Sequence, residues 1–159
     1  MERDNYLLIT TRNNTGILQR ITGLFSRRFY NILSTVAAQD LNSEFSHLII
    51  VVRGDANVVR QVEKQVSKLH DVLEVEVLDP DHIVLREHLM LKVRRTEETG
   101  TQLVTIANVF HADVLSVSKE SMVLELSGTP KTLDSFVDLC KPYGIMQMLR
   151  TGAMAMATD

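Results

Sequence analysis

Side chains able to do chemistry are scattered along this chain, and their spacing argues against a reaction centre. The histidines at 47, 70, 82, 88 and 111 include no pair at i, i+4 that would present two imidazoles to one metal ion. Asp79, Asp81 and His82 crowd around Pro80, where solvated linker side chains are the simpler reading. Ser26, Ser34 and Ser116 lack the sharp turn that exposes a nucleophile, and Gly16 and Gly23 form neither a dinucleotide fingerprint nor a phosphate loop. No catalytic set and no metal set is expected, and hence no enzyme activity from this chain alone.

What remains is binding, and it concentrates at Asn13-Asn14-Thr15-Gly16. A helix N-terminus carries unpaired N-H groups and the positive end of the peptide dipoles, so it can hold a carboxylate. A free amino acid needs such donors, acceptors for its ammonium and a pocket sized for its side chain. Backbone N-H groups of Gly16, Ile17 and Leu18 would take the carboxylate, with Gly16 permitting close approach. Side-chain oxygens of Asn13 and Asn31 would accept from the ammonium. On residue types alone the plainer reading is favoured, in which Asn13 caps a helix and Asn31 tolerates a turn.

The elements that must position these residues follow from periodicity. Tyr6 to Thr11 is an apolar run of strand length, and Ile17, Leu18, Ile21, Leu24 and Phe25 repeat at helical spacing. Ile32 to Gln39 and Phe45 to Val52 read as a hairpin, the second strand apolar on both faces. Asp55 is a candidate cap for a helix carrying Val58, Val59, Val62, Val66 and Leu69. From Val72 to Leu78 the alternation puts Leu73, Val75 and Val77 on the core and Glu74 and Glu76 in water. This order is βαββαβ, the ferredoxin-like arrangement, with its second and fourth strands at the edges. Two helices cover only one face of such a sheet, so the second unit or another copy of the chain must cover the other.

After a boundary at Asp79-Pro80-Asp81-His82 the order repeats. Strands are expected at 88–93, 114–118, 122–126 and 145–150, with helices at 101–110 and from Thr129-Pro130 onward. Thr99-Gly100 echoes Thr15-Gly16, and Leu103, Ile106 and Phe110 share the mutual spacing of Leu18, Ile21 and Phe25, which hints at duplication. The fold class is therefore α+β, two ferredoxin-like units over 1–78 and 79–159, the latter including the linker. The apolar tail Ala153-Met154-Ala155-Met156 suits a partner contact or a packed end.

Composition agrees. With 159 residues, 45% hydrophobic and 23% charged, the protein can bury a workable core, and its net charge of -3 gives no broad attraction to nucleic acid or to an anionic membrane. Arg27-Arg28 and Arg94-Arg95 read as solvated ends. No run approaches a membrane span or a secretory signal, so a cytoplasmic location is expected. The single Cys140 shares a helical face with Leu133, Phe136 and Val137 and has no disulfide partner.

The series Asn13-x-x-Gly16-hydrophobic, Arg20-Ile21-x-Gly23-Leu24-Phe25-Ser26-Arg27-Arg28 and Tyr30-Asn31-Ile32 resembles the N-terminal ACT domain of the acetohydroxyacid (acetolactate) synthase small subunits. Gly54-Asp55, Gln61 to Gln65, Lys68-Leu69, Arg86-Glu87 and Arg150-Thr151-Gly152 continue the resemblance over nearly the whole sequence. It implies a homodimer through the ACT domain, with valine bound between the two copies against Asn13, Gly16, Asn31 and Ile32. Valine, leucine and isoleucine remain open as the preferred effector. It also implies a partner, the catalytic subunit, which carries thiamine diphosphate, magnesium and FAD while the small subunit carries no cofactor. The rival reading is a free-standing amino-acid sensor of two ACT-like units; a third is a purely structural dimerisation module. The sequence departs from the family at Phe29, where glycine is common, and at Ser46-His47, where Ser-Arg is common. A left-handed helix exit at Phe29 would cost about 1 kcal/mol or shift the path.

Overall fold

The computed structural model describes residues 2–158. The protein forms two compact units, one gathering the residues up to Val84 together with those from Gly152 onward, the other running from Leu85 to Thr151.

In the first unit, β1 (Arg3–Arg12), β2 (Ile32–Gln39), β3 (Phe45–Gly54) and β4 (Val72–Leu78) form an antiparallel sheet in the order β2-β3-β1-β4, so β2 and β4 are its edges. α1 (Ile17–Arg27) and α2 (Ala56–Val66) pack on one face. Their stripes, Ile21, Leu24 and Phe25 with Val62 and Val66, meet Leu7, Ile9, Leu48, Ile50 and Val52 in one buried cluster. Leu18 falls outside the stripe at 44% exposure, because Ile17 beside it takes the inward direction.

Asp55 caps α2, its Oδ1 accepting from the N-H groups of Asn57 and Val58 at 2.9 and 3.0 Å. Those two bonds hold the Asp55 carboxyl below the usual carboxylate range. A folded-state pKa below the unfolded one stabilises the fold above about pH 4 and loses that contribution as pH falls through the lowered value. Asp55→Asn retains a cap, and its melting temperature should fall less steeply than wild type's between about pH 5 and 3; identical pH profiles would remove Asp55 from the acid response.

Of the two outcomes open at Phe29, α1 takes the strained exit, with Phe29 in the left-handed region at φ 58. Tyr30 N-H donates to Phe25 C=O at 3.0 Å and Phe29 N-H to Ser26 C=O at 3.2 Å, the two bonds of a Schellman exit. The Tyr30 ring meets Phe25 edge-on, their centroids 6.2 Å apart. Phe29 itself is 95% exposed, so its ring supplies no packing to offset the strained backbone. Phe29→Gly is therefore expected to stabilise the fold by about 0.5–1 kcal/mol, the relief being partly offset by a floppier unfolded state; a denaturation midpoint equal to or below wild type would contradict this.

The expectation for β4 needs correction at two residues, Leu73 and Val77. Thr11 pairs with Val72 and Thr10 with Glu74, so Leu73 is the extra residue of a bulge. Val72 and Val75 consequently pack on the core, Leu73 is turned out at 47% exposure, and Val77 is also more than a third exposed. The sheet face opposite the helices carries Ile49 and Val51, both buried. Part of its cover comes from the protein's own C-terminal return. A Cβ on Gly152 would sit 2.8 Å from the Ser34 side chain and 3.1 Å from Val36, so only glycine fits there.

In the second unit β5 (Ile83–Arg94), β6 (Asp113–Val117), β7 (Ser121–Gly128) and β8 (Ile145–Arg150) follow the order β6-β7-β5-β8, with α3 (Gly100–Phe110) and α4 (Pro130–Cys140) on one face. Thr129 caps α4, and Leu133, Phe136 and Cys140 face Leu89, Leu91, Val93 and Leu124. Cys140 is a free, buried thiol that burial pushes up to about 11. α3 leaves through His111 at φ 56, with Ala112 N-H on Ala107 C=O, the same exit as α1.

Two of the sequence motifs explain one another: Arg150 pairs with Glu87 at 2.5 Å and with Asp134 at 2.6 Å, binding β8 to β5 and α4. β5 begins at Ile83, five residues before the expected start, after a short 3-10 turn at Pro80–His82 capped by Asp79. The apolar tail, expected as a partner contact or a packed end, forms β9 (Met154–Ala157) and groups with the first unit, Thr158 N-H donating to His82 C=O at 2.8 Å.

Candidate effector site

The loop from β1 to α1 is where backbone geometry and ligand chemistry meet. Gly16 is the residue before α1, in the left-handed region at φ 83, and no side chain caps the helix. A Cβ there would meet nothing within 4 Å, so the space in front of the helix end is open. Ile17 N-H, expected among the carboxylate donors, is instead taken by Asn14 C=O at 3.2 Å. This is a correction with a local cause: the turn closes on itself one residue inside the helix. Among the described residues the N-H groups of Gly16 and Leu18 have no backbone acceptor, as the geometry of a helix start requires.

Asn13 is exposed and fixed at both ends of its amide unit. Its N-H donates to Glu44 C=O at 2.7 Å and its Nδ2 to Ser43 C=O at 3.0 Å. What the side chain offers a ligand is therefore its acceptor oxygen, the atom an ammonium needs. An open pocket of about 590 Å³ lies here, lined by Arg12, Asn13, Asn14, Glu44 and Phe45. Leu18 contributes its exposed side chain to the same end of α1, whereas Ile17 is buried in the core.

Asn31 and Ile32 stand elsewhere. They follow the far end of α1, whose 11 residues span about 16 Å, and neither lines the pocket. Asn31 is exposed just before edge strand β2, and Ile32 packs partly on the core. One protomer by itself does not bring them to Gly16. Tyr30, whose hydroxyl donates to Gln61 Oε1 at 3.1 Å, fixes the backbone leading into them.

The second departure from the family pattern also has a structural role. His47 lies between the Thr10 hydroxyl at 3.2 Å and the Asp40 carboxylate at 3.3 Å, tying β1 and the end of β2 to β3. Sequence reading missed Asp71 altogether. It is buried, it accepts from Asn14 Nδ2 at 2.7 Å and it pairs with Arg20. The Asn14 bond foremost holds its carboxyl below the usual range. No local pattern signals a contact across 57 positions. No group of three or more histidines, cysteines or carboxylates able to hold a metal is present among the described residues, and no helix among them is long and apolar enough to cross a membrane.

The fold and loop together define a protein of two ferredoxin-like units whose first is an ACT domain: residues 7–74 match the model of the AHAS small subunit-like ACT domain, and residues 86–159 that of the small subunit of acetolactate synthase. The chain belongs to the acetolactate synthase small subunit family. It is 33% identical to the probable acetolactate synthase small subunit of Methanothermobacter thermautotrophicus, over 99% of this sequence and 95% of the relative. With the acetolactate synthase small subunit of Bacillus subtilis it shares 37% identity, covering 95% and 88% of the two sequences. The crystal structure of the acetolactate synthase small subunit from Thermotoga maritima superposes with a TM-score of 0.92 at 29% identity, over 99% of this protein and 98% of that one.

Proposed function

We propose that this protein is the non-catalytic regulatory subunit of a cytoplasmic acetolactate synthase, that it activates a separate thiamine-diphosphate-dependent catalytic subunit, and that it confers feedback inhibition by valine. Similarity to small subunits along the whole sequence is the observation that carries the reading. The loop supports its effector part, since unpaired N-H groups at Gly16 and Leu18 and the Asn13 oxygen supply the two halves of zwitterion recognition. Pairing of two β2 edges in a homodimer would bring Asn31 and Ile32 of one copy towards the Asn13 to Gly16 loop of the other, completing what one protomer leaves apart. Control then follows from linkage: valine favours one arrangement of the dimer, the catalytic subunit prefers another, and a coupling of about 1–3 kcal/mol gives several-fold to roughly hundred-fold regulation.

The test is the rate of acetolactate formation by the catalytic subunit of the same organism, with and without this protein, across a valine titration. A rate that rises on addition and falls with valine supports the reading. A rate indifferent to a saturating amount would transfer the protein to the free-standing sensors.

A further inference from the structure

We infer that Asp71, which no ligand would touch, is the positioning residue of the effector loop. The inference rests on the effector reading above and deepens it. Asp71 stands in the turn between α2 and β4, and its side chain is only 6% exposed. From there it holds the loop at three points. Its backbone carbonyl accepts from Arg12 N-H at 2.8 Å, before the loop; its Oδ1 accepts from Asn14 Nδ2 at 2.7 Å, within it; its Oδ2 pairs with the Arg20 guanidinium, one turn into α1. Gly16 lies inside the span so gripped. Beyond these, the carboxylate meets the His70 ring, at 3.5 Å.

The consequence runs through Asn14. Its side chain is anchored on Asp71, which fixes where its backbone carbonyl points, and that carbonyl takes the Ile17 N-H. With Ile17 satisfied inward, the Gly16 and Leu18 N-H groups are the donors left at the helix end. The ion pair has a second effect. Arg20 is the first cation of α1, and with its charge balanced by Asp71 the site meets a carboxylate with peptide dipoles in place of a full positive charge. That suits a ligand whose own ammonium already balances it.

The test uses the full-length protein, calorimetric titration with valine, and amide hydrogen exchange without ligand. Asp71→Ala should weaken valine binding about tenfold, the scale of one lost charge-assisted hydrogen bond, and should speed exchange at Asn13 to Leu18 while α2 and β3 amides stay protected. Asp71→Asn keeps the size and the acceptor for Asn14 but leaves the Arg20 charge unbalanced, and should recover most of the exchange protection and part of the affinity. The inference is overturned if the alanine variant melts lower yet binds valine as wild type does, if exchange rises evenly over the unit, or if the asparagine variant recovers nothing. A wild-type protein that takes up no valine would sink the effector reading, and the exchange pattern alone would then decide whether Asp71 positions the loop.

Discussion

Gly16→Asp is expected to abolish the valine response of the holoenzyme while leaving the subunit folded and still able to activate its catalytic partner. The position tolerates a side chain sterically, since a Cβ there meets open space. Its backbone, at φ 83, costs any L-residue about 1 kcal/mol, which a domain of ordinary stability survives. What it does not survive functionally is the charge. The introduced carboxylate stands where the effector's carboxylate would sit, competes for the N-H groups at the head of α1 and repels the ligand at close range. The half-inhibiting valine concentration in the acetolactate assay should rise about a hundredfold or more, the scale of losing one or two charge-assisted hydrogen bonds to the carboxylate. Gly16→Ala separates the two causes, because it carries the same backbone strain without the charge and should retain most of the response. Retained sensitivity in the aspartate variant would move the site away from this loop.

The second large effect is on stability. Phe136→Ala should cost about 3–5 kcal/mol, a large share of what a small unit has. Phe136 is fully buried at the centre of the second core, its ring 5.3 Å from that of Phe110 and tilted by 60°. Removing it deletes that contact and leaves a cavity among Leu89, Leu124 and Leu133, which cannot close without moving strands. Val109→Ser provides the contrast. It lies on α3, in the same unit, but is 70% exposed, and should shift the stability by no more than about 0.5 kcal/mol. Chemical denaturation of both variants checks the pair; equal shifts would mean that the second unit is not packed as described.

That contrast is legible in the sequence. Helical spacing puts Leu103, Ile106 and Phe110 on one face of α3 and Val109 among Thr101, Gln102 and Thr105 on the other, and Leu103 is buried while Val109 is exposed. Where a helix has a clear wet face, as α2 does with Arg60 and Lys64, the buried residues Val59, Val62 and Val66 are legible at once. The caps at Asp55 and Thr129 are equally legible, because a cap is a bond between residues two or three apart.

Local chemistry, then, was settled by the sequence: the strand and helix order in both units, the edges β2 and β4, the absence of a paired-ligand pattern, and a helix N-terminus headed by glycine. What was read from near neighbours held in most places, and a bulge explains the failure at Leu73, where one extra residue reverses the face. The tertiary structure alone decided what depends on distant partners. It set Asp71 against Asn14 and Arg20, left Asn31 beyond the reach of its own Gly16 loop, and carried the tail from Gly152 back to the first unit. The physical reason is the same in each case. A hydrogen bond or a close backbone approach between residues tens of positions apart leaves no periodic trace, because it is fixed by how the sheets and helices pack and not by the spacing of residue types.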